Sequence, residues 1–176
     1  MSRCLSLILF FLAATIAQAQ TLTFDHGKVE FHTSSIMSDI EAVSEEIDMV
    51  LNVESGAFEI RIPIASFEFE YEMMQDHFNE EYLESDQYPD ATFTGKIVQD
   101  ISDFQEAIEV DVSGELTIHG VTKPTSFSAT LSKKDELTKI NCIFPIVFKD
   151  FDVDEPSILR KSVAKDVEVK GIVYLK

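Results

Sequence analysis

Residues Ala107–Leu131 read AIEVDVSGELTIHGVTKPTSFSATL, and this stretch decides the fold. Its first arm alternates. Ile108, Val110, Val112, Gly114, Leu116 and Ile118 fall on one side, and Glu109, Asp111, Ser113, Glu115 and Thr117 on the other. A period of two with one polar face is the mark of a strand that covers a core on one side and meets water on the other. His119-Gly120-Val121-Thr122 makes a tip. After Lys123-Pro124 the second arm returns, with Phe127, Ala129 and Leu131 on one side and Ser126, Ser128 and Thr130 on the other. Pro124 has no N–H to give, so it belongs at the entry to that arm or at an unpaired position. The stretch is therefore expected to form a long antiparallel hairpin.

Working outward, most of the chain repeats this grammar. Toward the N-terminus, Ala91, Phe93, Gly95 and Ile97 alternate with Thr92, Thr94 and Lys96. Glu45–Val53 and Ala57–Ile64 alternate on either side of a Glu54-Ser55-Gly56 turn, which predicts a second hairpin. Thr21–Thr33 reads as one strand or two short ones, with a turn signal at Asp25-His26-Gly27; Ile36–Ser44 is ambiguous. Toward the C-terminus, Ile140–Phe148 and Val167–Leu175 read as strands, and Ser157–Asp166 as the place for a helical turn. One segment departs from the pattern. Between Ala65 and Pro89, Met74, His77, Phe78 and Tyr82 recur at steps of three and four, which predicts a short amphipathic helix over about 72–83.

About eight strands with short connections make an all-β domain. A sheet of that size tends to curl and close so that no edge is left bare. The expected fold is an eight-stranded antiparallel β-barrel. Eight strands enclose enough room to be packed solid by side chains or to hold one slender ligand. Gly95 and Gly114 on the inward face either leave space or relieve strain at bends, so the residues alone leave both interiors open.

The start of the chain, MSRCLSLILFFLAATIAQAQ, has a basic beginning, an apolar run from Leu5 to Ile16 and the small residues Ala17 and Ala19 around Gln18. It reads as a signal peptide over 1–19, too short for a bilayer span, which predicts a periplasmic or secreted domain over 20–176. Loss of Arg3 with the leader leaves 13 basic against 32 acidic residues, a net charge of −19. Such a surface repels nucleic-acid backbones and anionic membranes. Cys142 is the one cysteine left, so no internal disulfide is available, and its apolar surroundings predict a small buried hydrophobe.

The stretch Gly114-Glu115-Leu116-Thr117-Ile118-His119-Gly120-Val121-Thr122-Lys123-Pro124 resembles the signature of the YceI-like family. So does His77-Phe78 followed by Leu83, Tyr88-Pro89 and Ala91-Thr92-Phe93, as does the weaker match at Val29-Glu30-Phe31-His32. The resemblance covers nearly all of the chain after the leader. It implies a lipocalin-like barrel extended by a helix and loops near its mouth. Some members of that family hold a polyisoprenoid chain in an elongated apolar tunnel. Carried over residue by residue, Phe31, His77, Phe78, Phe93, Leu116 and Ile118 are implied to line or shape such a tunnel. The chain departs from the family pattern at Ser38–Glu46, which is acidic and without glycine, and again over Phe148–Val163; both bear on the ligand more than on the barrel. The family also suggests a homodimer, with the strand edges near Pro63 and Pro145 as places to look.

A lipid-binding barrel holding an isoprenoid or fatty-acid-like chain is the leading functional expectation. The alternative is a filled-core structural or stress-related barrel acting through a protein partner. No cofactor is expected. His26, His32, His77 and His119 are scattered; Asp76 and His77 with Glu80 and Glu81 form the nearest approach to a metal set, and read more simply as a solvated helix face. Ser34, Ser35, Ser126 and Ser128 lack the context of an activated nucleophile, and the adjacent pairs Glu45-Glu46 and Glu80-Glu81 point different ways. No enzyme is therefore expected.

Overall fold

The computed structural model describes residues 20–34, 39–153 and 167–176. The expected leader and the helical turn expected at Ser157–Asp166 lie outside these residues. The hairpin that opened the sequence is β7 (Ile108–Ile118) and β8 (Val121–Lys134), paired without a slip from Ile108↔Leu131 to Ile118↔Val121. Val110, Val112, Leu116 and Ile118 are buried, while Glu109, Asp111 and Glu115 are exposed. The alternation thus sets which face meets the core, because a one-residue slip would turn each of these side chains over.

The remaining strands are β1 (Thr21–Ser34), β2 (Asp39–Ser44), β3 (Asp48–Asn52), β4 (Ala57–Pro63), β5 (Glu68–Phe69), β6 (Asp90–Ile97), β9 (Leu137–Ile146) and β10 (Val167–Leu175). All pairings are antiparallel, and the sheet runs β10-β9-β8-β7-β6-β4-β3-β1 before β1 pairs back onto β10 from Phe24↔Leu175 to His32↔Glu168. That pairing closes an eight-stranded barrel. Ten strands are counted because two are interrupted. β2 and β3 lie on the same edge of β1 in one unbroken register, Val29↔Ser44 and Thr21↔Asn52. They part at residues 45–47, beside the bulge at Phe24/His26 of β1. The β1 turn signal at Asp25-His26-Gly27 is therefore a bulge inside one strand. Of the ambiguous stretch, Asp39–Ser44 is a strand as well. β4 is likewise followed, after a 3-10 turn at Ile64–Ser66, by β5, which adds two residues to the edge of β2.

The amphipathic segment is helical as expected, but in two pieces. α1 (Glu72–His77) passes directly into a π-turn over Phe78–Tyr82. Residues 64–89 thus form a loop between β4 and β6. Its neck is pinned by Ile64 N–H donating to Pro89 O at 2.8 Å and by the pair Pro63↔Asp90.

Pro124 and Pro145 flank a split in the wall. The β8–β9 ladder runs from Lys134↔Leu137 only as far as Ala129↔Cys142. Beyond it stand Pro124 on β8, paired to Glu115 of β7, and Pro145 on β9, paired to Glu168 of β10. Each lacks the N–H a continued ladder would use. The Phe127 and Phe144 rings stack across this split, 4.0 Å apart and nearly coplanar in tilt at 1°.

Candidate functional site

Side chains pointing inward from eight strands fill the two halves of the barrel differently. In the half away from the β7–β8 tip, Leu51, Val110, Leu131 and Leu175 are wholly excluded from solvent, and Met49, Ile108, Ala129 and Ile140 pack around them. That half is solid. Phenylalanines dominate the other half. Phe58, Phe93, Phe127 and Phe144 follow one another round the wall with ring centroids 5.1, 5.7 and 4.0 Å apart. Above them Phe31 meets Phe67, Phe78 and Phe148 at 5.4, 5.3 and 6.3 Å, and Phe69 meets Phe78 at 5.0 Å.

Between the two groups of rings lies a cavity of about 140 Å³. Val29, Ile60, Ile62, Ala91, Leu116, Ile118, Ile146 and Val169 complete its walls. Its roof is Ile64, Phe67, Phe78 and Leu83, all from the loop between β4 and β6. Apart from the Cys142 thiol, each side chain facing it is aliphatic or aromatic. Cys142 is there because its cross-strand partner is Gly171: a Cβ on Gly171 would stand 2.9 Å from Cys142 Sγ. Burial pushes this thiol above its ordinary range, against a smaller opposing effect from the Gly171 backbone, so the group stays protonated and behaves as a hydrophobe.

Of the residues singled out from the sequence, Phe31, Phe78, Phe93, Leu116 and Ile118 line this cavity. His77 does not. It ends α1 with its side chain exposed to solvent. The helical step of three and four placed His77 beside Phe78, but only Phe78 turns inward. Ile60, Ile62 and Phe127 belong to the lining too, and their alternation signalled it. Phe148 was expected as the last residue of a strand and lies instead in a 3-10 turn, while Phe67, beside another such turn, fell in the segment that departs from the alternation. Asp76, Glu80 and Glu81 are exposed like His77. The roof's outer surface is anionic, because no Lys or Arg occurs between Arg61 and Lys96.

His119, expected as a turn residue, does more than turn. It sits at the β7–β8 tip with φ of 51° and its side chain is 13% exposed. Its Nε2 lies 2.7 Å from Glu84 Oε2, and its ring stands edge-on to Tyr88 at 4.5 Å. Gly120 makes room for this contact: a Cβ there would fall 2.6 Å from Tyr88 Cε1, and its φ of 72° suits glycine.

Comparison with known proteins agrees with this geometry. The barrel superposes on a polyisoprenoid binding domain from Saccharophagus degradans implicated in plant cell wall breakdown, with a TM-score of 0.76, 15% identity, and 88% of this chain and 97% of that one covered. It also superposes on BcnA of Burkholderia cenocepacia, with a TM-score of 0.69 at 19% identity over 83% and 95% of the two chains. At such identities the likeness is one of fold. In sequence, a UPF0312 protein of Pseudomonas putida is 33% identical over 98 residues, 52% of this chain and 49% of its own. Protein YceI of Shigella flexneri is 41% identical over 51 residues, 29% of this chain and 24% of its own. The chain thus matches about half the length, or less, of these curated relatives. The YceI-like domain itself matches residues 17–173, and the chain belongs to the YceI-like family.

Proposed function

We propose that this protein is a lipid-binding carrier that holds an isoprenoid or other long apolar chain in the hollow half of its barrel. The observation that carries the reading is the cavity lining, which among the described residues offers hydrocarbon and no charged or hydrogen-bonding side chain beyond one thiol. Such a site recognises its guest by exclusion of water alone, at roughly 0.8 kcal/mol for each methylene buried. The Saccharophagus domain of the same fold, described as polyisoprenoid binding, supports the choice of guest. The amino-terminal leader pattern supports export to the periplasm or beyond, where a carrier would move apolar molecules through water. Native mass spectrometry and lipid extraction of protein purified from its own host test the reading. A co-purifying isoprenoid or fatty lipid is expected; a clean apo mass, with no uptake of isoprenoid quinone or fatty acid on addition, would sink it.

The second reading, a barrel without cargo that works through a protein partner, draws on the solid half of the interior and on the small size of the cavity. It predicts that the clean apo mass is accompanied by a stable complex with another protein in the same extract.

A further inference from the structure

An apolar cavity of about 150 Å³ accommodates a guest the size of benzene, and pockets for larger ligands span roughly 300–1,000 Å³. At about 140 Å³ this one is closed to a long chain as it stands. Something must move to admit one. Most of the lining sits on strands hydrogen-bonded into the barrel. The roof does not: Ile64, Phe67, Phe78 and Leu83 belong to the loop over 64–89.

That loop is held at its neck by Ile64 N–H to Pro89 O and at its shoulder by the two residues of β5 on β2. From residue 70 to residue 88, the described residues make no backbone hydrogen bond to the wall. Among the described residues one side-chain hydrogen bond joins this stretch to the barrel, and it is the 2.7 Å contact of Glu84 Oε2 with His119 Nε2. A carboxylate only accepts, so His119 Nε2–H donates. Both residues adopt the left-handed region, Glu84 with φ of 44° and His119 with φ of 51°. Non-glycine residues take that conformation at a cost, and where it persists the surroundings hold it in place. Here the two strained residues hold each other, with Tyr88 laid against the imidazole.

We propose that residues 70–88 are the gate of the cavity and that the Glu84–His119 pair is its latch, with this stretch swinging between the Ile64–Pro89 neck and the β5–β2 shoulder when the pair parts. The proposal rests on the carrier reading for what enters, but not for how the loop moves. The latch lies 35 residues apart in sequence and joins the tip of the central hairpin to the far end of the loop. Parting it breaks one hydrogen bond and one ring contact, and the lift that follows also draws Phe78 away from Phe31 and Phe69. Phe78 and Leu83 would then lift together, since both lie on the π-turn or at its end.

The test compares the chain with Glu84→Gln and Glu84→Ala, and uses Lys176→Gln, which removes an exposed pairing with Asp25 on the barrel wall, as control. Hydrogen exchange is followed peptide by peptide, and uptake of the neutral apolar dye N-phenyl-1-naphthylamine by stopped flow. Glu84→Ala is expected to exchange faster over residues 70–88, with β7, β8 and β10 unchanged, and to take up the dye about fivefold faster, while Glu84→Gln, whose amide oxygen still accepts from His119, changes both by less. Unchanged exchange over 70–88 overturns the latch whether or not any dye binds. Equal acceleration by Lys176→Gln overturns it too, because the effect would then be general loosening. Faster exchange at 70–88 in chains that bind no dye, the parent included, keeps the latch and removes the carrier reading instead.

Discussion

The ring of Phe93 on β6 lies over Gly114 on β7, where a Cβ would stand 3.0 Å from Phe93 Cε2. Gly114 is paired across the ladder with Gly95, and the same Cβ would meet Gly95 Cα at 2.7 Å and Thr94 O at 2.4 Å. Two glycines side by side let β6 and β7 come close, and the phenyl ring leans across the gap to reach Phe127 on β8. The glycines therefore do not leave a void; they are covered by the ring that forms the cavity floor. Gly114→Val is expected to force the strands apart and displace Phe93, lowering stability by about 1–3 kcal/mol. Urea unfolding monitored by circular dichroism reads this directly, and an unchanged midpoint would show that the β6 and β7 backbones part at this point without cost.

Leu116 is paired with Phe93 and is 8% exposed, on the inward face of the hairpin. Leu116→Asp places a carboxylate against hydrocarbon with no partner, and the chain is expected to lose its cooperative thermal transition. Leu116→Ala removes the same bulk without the charge and should cost about 2–5 kcal/mol while leaving a fold. A melt indifferent to both substitutions would mean the inward face of β7 is the other one.

Phe78 hangs from the roof and touches Phe31, Phe67 and Phe69. Phe78→Ala should destabilise the protein by about 3–5 kcal/mol, as large aromatic truncations do. It should also widen the cavity, so that dye binding tightens even as the melting temperature falls. Opposite signs in the two measurements distinguish a lining residue from one that serves packing alone.

Cys142 carries a pH prediction. Its folded pKa is raised by burial, so the unfolded chain loses the thiol proton first as pH rises. The stabilisation is complete below the unfolded thiol value of about 8.5 and falls away as pH climbs through the folded value. Denaturant midpoints between pH 8 and 10 should therefore drop less in Cys142→Ala than in the parent chain. Alkylation of the folded protein by iodoacetamide at pH 8 should be slow and should accelerate once urea opens the barrel. Rapid alkylation without denaturant would place the thiol at the surface.

Hydrophobic patterning was enough to determine most of the architecture. Period-two alternation over 107–131 fixed which residues of β7 and β8 point inward, because strand geometry sends neighbours to opposite faces. The number of such runs implied a closed barrel, since an open sheet of that size leaves unpaired edges. The break between β2 and β3 was not legible: both halves share one register on β1, and the interruption answers a bulge on the neighbouring strand. Nor could alternation tell that one half of the interior is solid and the other hollow. That depends on how rings from β1, β4, β6, β8, β9 and the β4–β6 loop meet across the axis, which is a matter of three-dimensional packing and not of any local pattern. His77 and His119 show the same limit in single residues. One stands beside a buried phenylalanine and faces water, while the other sits at a hairpin tip and meets Glu84, 35 positions away. Order along the chain sets which face a side chain shares; only the closing of the barrel decides what stands opposite.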